Sequence, residues 1–272
     1  MDAGVCLWTI AGLFGLSAGL LAPREIDVFE RAAAVEIGSR LQGEGKQVQV
    51  SVDVNGFAGA WGELVSAEIS ANKFSVDGLP FFTEPTRSKA GKLGVLRLRL
   101  SDFSLNGLDC DLLSADLVNC RYDFALALRA KKIRLSKSGT GPGFVRVNAR
   151  ALERFVLKKY HEIEEVTVEL RGGKVIVEGV GNFLFSRSKF FVIASLVPMH
   201  GTQIHLSDAK IWLDGSIASD GASRALLQSL NPVIDENRDL NLHSALQMDR
   251  VTITQEYVEL GGTARIPEIV NQ

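Results

Sequence analysis

One phrase recurs along this chain and restricts the folds open to it: two short runs of alternating apolar residues, then a glycine. It is written VSAEISANKFSVDG at residues 65–78, LRLRLSDFSLNG at 96–107, VTVELRGGKVIVEG at 166–179 and VTITQEYVELGG at 251–262. Alternation of period two gives each strand one apolar and one wetted side. Read as a series of hairpins, the repeats predict a long antiparallel sheet with one greasy face. Protein or lipid has to cover that face.

The plainest hairpin is 166–179. A two-residue turn at Gly172-Gly173 sets Arg171 opposite Lys174, Leu170 opposite Val175 and Val168 opposite Val177, so the apolar pairs share one side. Val48, Val50, Val52 and Val54 alternate with polar residues in an earlier strand that stops at Asn55-Gly56. Residues 190–197 are apolar on both sides apart from Ser195, which predicts a strand covered twice. Residues 86–92 and 136–143 read as loops from their Gly, Ser, Pro and Lys content.

Helical spacing appears three times. Ile26, Phe29, Ala33 and Ile37 recur at intervals of three and four, and Gly43 and Gly45 end that helix. Asn148 can cap a second helix running to about Tyr160. Ser219 or Asp220 can cap a third through Leu230, with Pro232 beyond its end. The expected class is therefore mainly β with a few helices (α+β), built on a long antiparallel sheet. The expected organisation is an apolar leader over 1–23, an amphipathic helix over 24–45 and a β-rich domain over 46–272, with two related halves meeting near residue 160.

The chain has 272 residues, 46% hydrophobic and 23% charged, which is a globular composition. Its formal charge of −2 gives nucleic acid no overall attraction, so no nucleic-acid partner is expected. Three cysteines are too few for a disulfide scaffold. Cys110 and Cys120 either meet across neighbouring strands or stay as free buried thiols. Residues 5–22 carry no charge, close to the length of a signal core or a short membrane span. Asp2 stands where a signal has basic residues, and Pro23 and Arg24 follow the apolar run. An export signal or membrane anchor is the favoured reading, placing the protein in the cell envelope on the periplasmic side. A buried helix, or a start site that hides a basic segment, are the alternatives, and a cytoplasmic location stays open.

A search for catalytic signatures finds little. His161, His200, His205 and His243 have no metal-ligand spacing, so neither a metal nor a cofactor is expected. Ser70-x-x-Lys73 and Ser186-x-x-Lys189 match one motif of penicillin-recognising enzymes but lie in strand-like sequence without the partner motifs. Gly38-x4-Gly43 has phosphate-loop spacing, with Glu44 where lysine belongs.

Two clusters remain as candidate sites. Phe57, Trp61, Phe81 and Phe82 stand beside turn glycines and prolines, where bulky aromatics suit contact with lipid; packing at strand ends is the alternative. Arg129, Lys131, Lys132 and Arg134 form a basic run suited to anionic head groups, or to a solvated turn. The apolar parity changes across that run, from Phe124, Leu126 and Leu128 to Ile133 and Leu135, which predicts a turn or bulge near 130–132.

Several stretches, in order, resemble the LmeA-like phospholipid-binding family of bacteria. They are VSVDVNGF with GELVSAEISANKFSVDG, then GPGFVRVNARALERFV, HEIEEVTVELRGGKVIVEGVG, and the closing LNPVIDENRDLNLHSALQMDRVTITQEYVELGGTA. The resemblance covers about 48–266. It implies a fold akin to tubular lipid-binding modules, a long curved antiparallel sheet wrapped around a helix, and an exported or anchored protein that binds phospholipid in an apolar groove without catalysis. It implies a membrane surface as a partner and transfers no individual lipid-contact residue. The rival expectations are a structural or partner-binding envelope protein whose groove is filled by the helix at 24–42, and a hydrolase with a dispersed site.

Overall fold

The computed structural model of the protein describes residues 23–54, 61–80, 82–130, 132–183 and 186–268. Chain order begins with helix α1 (Pro23–Arg40), then strands β1 (Gln47–Asp53), β2 (Glu63–Val76), β3 (Gly91–Leu105) and β4 (Leu108–Tyr122). Helix α2 (Phe124–Ala130), β5 (Leu135–Lys137), β6 (Thr140–Asn148) and helix α3 (Ala149–Lys159) follow. The second half holds β7 (Ile163–Arg171), β8 (Lys174–Phe183), β9 (Ser186–Met199), β10 (Gln203–Leu213) and β11 (Ser216–Ile217). Helix α4 (Asp220–Leu230), β12 (Ile234–Asp235), β13 (Leu246–Ile253) and β14 (Tyr257–Arg265) complete it. The protein is mainly β with a few helices, as the alternation predicts.

The strands form two sheets. The first runs β1-β2-β3-β4-β6-β14-β13, with β5 also on β4. The second runs β11-β10-β9-β8-β7, with β12 also on β10. The chain crosses from the first sheet to the second at α3 and returns through β13 and β14. One pair departs from the antiparallel expectation: β2 and β3 are parallel, Ala67 beside Leu96 and Ala71 beside Leu100. Parallel neighbours need a long crossover. Residues 77–90 supply it, and Thr83 binds the Pro267 carbonyl on the way (N···O 2.8 Å).

The recurring phrase therefore has two structural meanings. At 166–179 and 251–262 it is a hairpin. The β7–β8 register is the predicted one, Arg171 to Lys174, Leu170 to Val175 and Val168 to Val177, and Gly172 and Gly173 both take positive φ in the turn (60° and 74°). At 65–78 and 96–107 the hairpin expectation is wrong, because each phrase belongs to a single long strand. The break in alternation is a crease. Lys73 (φ 55°) and Asp102 (φ 49°) lie in the left-handed region at matching places in β2 and β3, while the register stays constant on both sides of them. One extra residue in each strand keeps Ala71 and Phe74 buried, and likewise Leu100 packed and Phe103 buried, despite their odd spacing.

Three other expectations change. Residues 124–130 are helical, not an alternating strand before a turn; the Asp123 carboxylate accepts the Leu126 N–H (3.0 Å) as a cap. Much of 136–143 is strand and not loop, since β6 begins at Thr140, and Gly91 and Lys92 already belong to β3. Residues 191, 193 and 197 on the outer side of β9 are half-buried, whereas Phe190, Val192 and Ala194 on its inner side are buried, so the two sides are not equally covered. Cys110 and Cys120 are free and buried. They sit on the same strand, β4, roughly 33 Å apart along it, which rules out a bond between them. Burial pushes both thiols up.

The caps at Asn148 and Ser219 are present: their side chains accept the N–H groups of Ala151 (3.0 Å) and Ala222 (3.3 Å). α3 buries Ala151, Leu152 and Phe155 in a core that joins both sheets. α1 lies along β1, where Glu30 Oε1 accepts the Val52 N–H (2.7 Å). Glu153 of α3 does the same for Val168 in β7 (2.8 Å). Each helix thus covers the open edge of an end strand.

β6 is squeezed between β4 and β14, and its glycines allow the approach. A Cβ on Gly141 would lie 1.7 Å from the Asp116 carbonyl oxygen, whereas one on Gly172 would meet nothing within 4 Å. Gly172→Ala is strained by its backbone angle alone and is expected to cost about 1–2 kcal/mol. Gly141→Ala is expected to cost clearly more, or to prevent folding, in urea denaturation. Equal losses in the two variants would refute the close-approach account.

Candidate functional site

Alternation places one aliphatic side of the second sheet toward α3. Val168 and Leu170 pair with Val177 and Val175, and β9 adds Phe190 and Val192 to the same side. Leu152 and Val156 of α3 face them, with Val147, Val258 and Leu260 from the first sheet. Between these walls remains a cavity of about 70 Å³. Tyr160 supplies the one hydroxyl among the lining side chains, and that hydroxyl is turned to the Leu230 carbonyl (2.6 Å). A water there would find no set of polar partners, so the cavity is dry.

Ile204 and Leu206 of β10 line it too, and so do Leu230, Val233 and Ile234. The last three belong to the stretch that leaves α4 and runs to residue 239, called the strap below. The strap lies along β10: Ile234 pairs with Ile204 and Asp235 with Gln203. The Asn231 amide holds both backbone groups of Leu206 (2.7 and 3.1 Å). From the end of α3, Lys159 Nζ donates to the carbonyls of Pro232 (2.8 Å) and Val233 (2.9 Å) and pairs with Asp239. Burial lowers the Lys159 ammonium from its usual range against the pull of Asp239. Burial likewise pushes the Tyr160 phenol up.

Beyond the β12 pairing sits Glu236, 2% exposed. Its N–H donates to the Thr202 carbonyl (2.9 Å), and Oε1 accepts the Leu246 N–H (2.9 Å). Oε2 has no hydrogen-bond partner. Burial pushes this carboxyl up to about 7, opposed by the Leu246 and Ala245 N–H groups and the Arg265 charge.

The residues singled out by sequence lie elsewhere. Trp61 is 75% exposed and directly precedes Gly62, whose carbonyl accepts from Tyr122 (3.1 Å). Phe82 is half-buried, its ring edge-on to His243 (5.5 Å between centroids). Arg129, in the last turn of α2, and Lys132 are exposed. Arg134 is half-buried and ion-paired with Glu36 of α1 and with Glu84, so its charge ties α1 to the segment after α2. That guanidinium holds the Glu36 carboxyl below its usual range. Phe57, Phe81 and Lys131 lie outside the described residues. None of the five described candidates lines the cavity.

The residues that do line and close the cavity carry no motif. Lys159 and Tyr160 end the predicted helix at Asn148, and this position is the one hint the sequence holds of their role. Among the described residues no group of three or more His, Cys, Asp or Glu is placed to hold a metal ion. Among them also, no helix is long and apolar enough to cross a membrane.

Glu236 makes stability depend on pH. A carboxyl held near 7 in the folded chain and near 4.5 in the unfolded one keeps its proton longer when folded. Its contribution is therefore full below about 4.5 and lost as pH rises through about 7. The loss is on the order of 3 kcal/mol. Glu236→Gln is expected to match the parent chain near pH 4 and exceed it in stability at pH 8, read by urea denaturation across that range. A difference between the two that does not change with pH would overturn the assignment.

No family model matches the chain, and neither a curated protein nor a solved structure does.

Proposed function

We propose that the protein binds the acyl chain of a phospholipid, or of another lipid, in the apolar space between its two sheets, and that it serves lipid handling at the cell envelope without catalysing a reaction. The observation that carries this reading is the cavity lining: aliphatic and aromatic side chains from both sheets and α3, with a single hydroxyl satisfied by backbone. Such a lining offers a lipid tail roughly 0.8 kcal/mol per buried methylene and offers a polar substrate nothing. The cavity of about 70 Å³ is well below the ~300–1,000 Å³ of sites that enclose a drug-sized ligand. Binding a chain therefore requires the walls to part. Exposed Trp61, Arg129 and Lys132 are suited to a membrane surface, with aromatic and cationic chemistry near one helix.

A second reading is a structural or partner-binding envelope protein with a self-filled interior. The small cavity favours it. So does the outer side of the second sheet, where Phe191 lies against Trp212 (5.3 Å between centroids) and Ile217 is 78% exposed.

Native mass spectrometry with lipid extraction, on the full chain purified without strong detergent, separates the two. Near-stoichiometric phospholipid supports the binder and identifies its head group. A clean apo mass, with no uptake from phospholipid vesicles, removes the lipid reading. Val177→Phe, which fills the cavity from β8, is expected to lower lipid occupancy at least tenfold with the fold retained. Unchanged occupancy in that variant would place the lipid elsewhere.

A further inference from the structure

We infer that the strap, residues 231–239 with the end of α4, is the gate of the apolar cavity and opens when its anchors on Lys159 and Tyr160 let go; what passes through it rests on the acyl-chain reading above.

The cavity walls differ in how they are held. β7, β8, β9 and β10 are joined to one another by long ladders of backbone pairs. α3 is buried through Ala151, Leu152 and Phe155. The strap contributes Leu230, Val233 and Ile234 to the lining, yet its strand pairing is two residues long. The rest of its attachment is polar: the Asn231 amide on Leu206, Glu236 on Thr202 and Leu246, the Asn106 amide on the Asp239 carbonyl, and the densest group at the end of α3. Two adjacent side chains at the end of α3 take three of its carbonyls: Tyr160 holds Leu230, and Lys159 holds Pro232 and Val233. The same ammonium pairs with Asp239, so one lysine fixes both ends of the strap. A short segment whose strand pairing ends after two residues opens more readily than the long ladders beside it. Releasing it uncovers the aliphatic space at the side of β10 and breaks no sheet ladder longer than β12.

The N–H groups of Val233 and Glu236 report the opening directly. They donate to the Ile204 and Thr202 carbonyls, and both bonds go when the strap lifts. Hydrogen exchange by mass spectrometry on the full chain, compared across parent, Lys159→Met, Tyr160→Phe and the neighbouring control Lys158→Met, reads this. Stopped-flow uptake of parinaric acid, a fluorescent fatty acid, reads access. Lys159→Met keeps the apolar stem and removes the ammonium. It is expected to speed exchange over 233–236 at least tenfold while β8 and β9 keep their protection, and to speed uptake by a similar factor. Tyr160→Phe is expected to do the same more weakly, and it serves if Lys159→Met does not fold. Lys158→Met is expected to change neither rate.

Exchange over 233–236 that stays at the parent rate, or that rises only together with β8 and β9, overturns the gate. Faster strap exchange with uptake at the parent rate overturns it as the route in. Faster strap exchange with no parinaric acid bound by any form leaves the opening established and removes the acyl-chain reading instead.

Discussion

The structure depends on α3 lying between two sheets, where its apolar residues share one core with both. Ala151 is fully buried, with Leu152 and Phe155 nearly so. Large side chains buried in this way stabilise by about 1.5–3 kcal/mol each. The helix is tied at both ends by local chemistry. Asn148, the last residue of β6, caps its start, and Lys159 and Tyr160 at its end hold the strap. Glu153 on its flank satisfies a donor on the edge of β7. One short helix therefore joins the sheets, seals an edge and closes the cavity.

The same economy appears at the other end of the molecule. α1 covers β1, and Glu30 occupies the edge donor at Val52. The Arg134 ion pairs then fasten α1 to the segments after α2 and before β3. Sequence placed this helix well because its apolar residues recur at helical spacing. For Arg134 it left a lipid head group or a solvated turn as alternatives, because charge in a run says nothing about what faces it. Only the packing of α1 across the sheet brings Glu36 to that guanidinium.

The creases of the first sheet show where pattern reading stops. Alternation in 65–78 and 96–107 breaks at Lys73 and Asp102, and a break in alternation reads equally as a turn or as a bulge. The choice is made by neighbours: both strands carry the extra residue at the same level, so the register continues and the apolar side stays the same. The glycines at 139–143 show the converse. Their composition reads as loop, yet a carbonyl of β4 lies where a Cβ of Gly141 would be. The run is glycine-rich because strands crowd it.

What the sequence determined by itself was local: the strands with strict alternation, the β7–β8 register set by Gly172-Gly173, the caps at Asn148 and Ser219, and hence a mainly β chain with a few helices. Each of these rests on residues within a few positions of one another, where backbone preference and side-chain period decide the outcome. The division into two sheets, the parallel pair β2–β3, the ion pairs of Arg134 and the dry cavity with its strap were decided by tertiary structure alone. They join residues as distant as Thr83 and Pro267, or Lys159 and Asp239. No period or motif encodes such meetings, because they depend on which apolar faces find each other once the strands have formed.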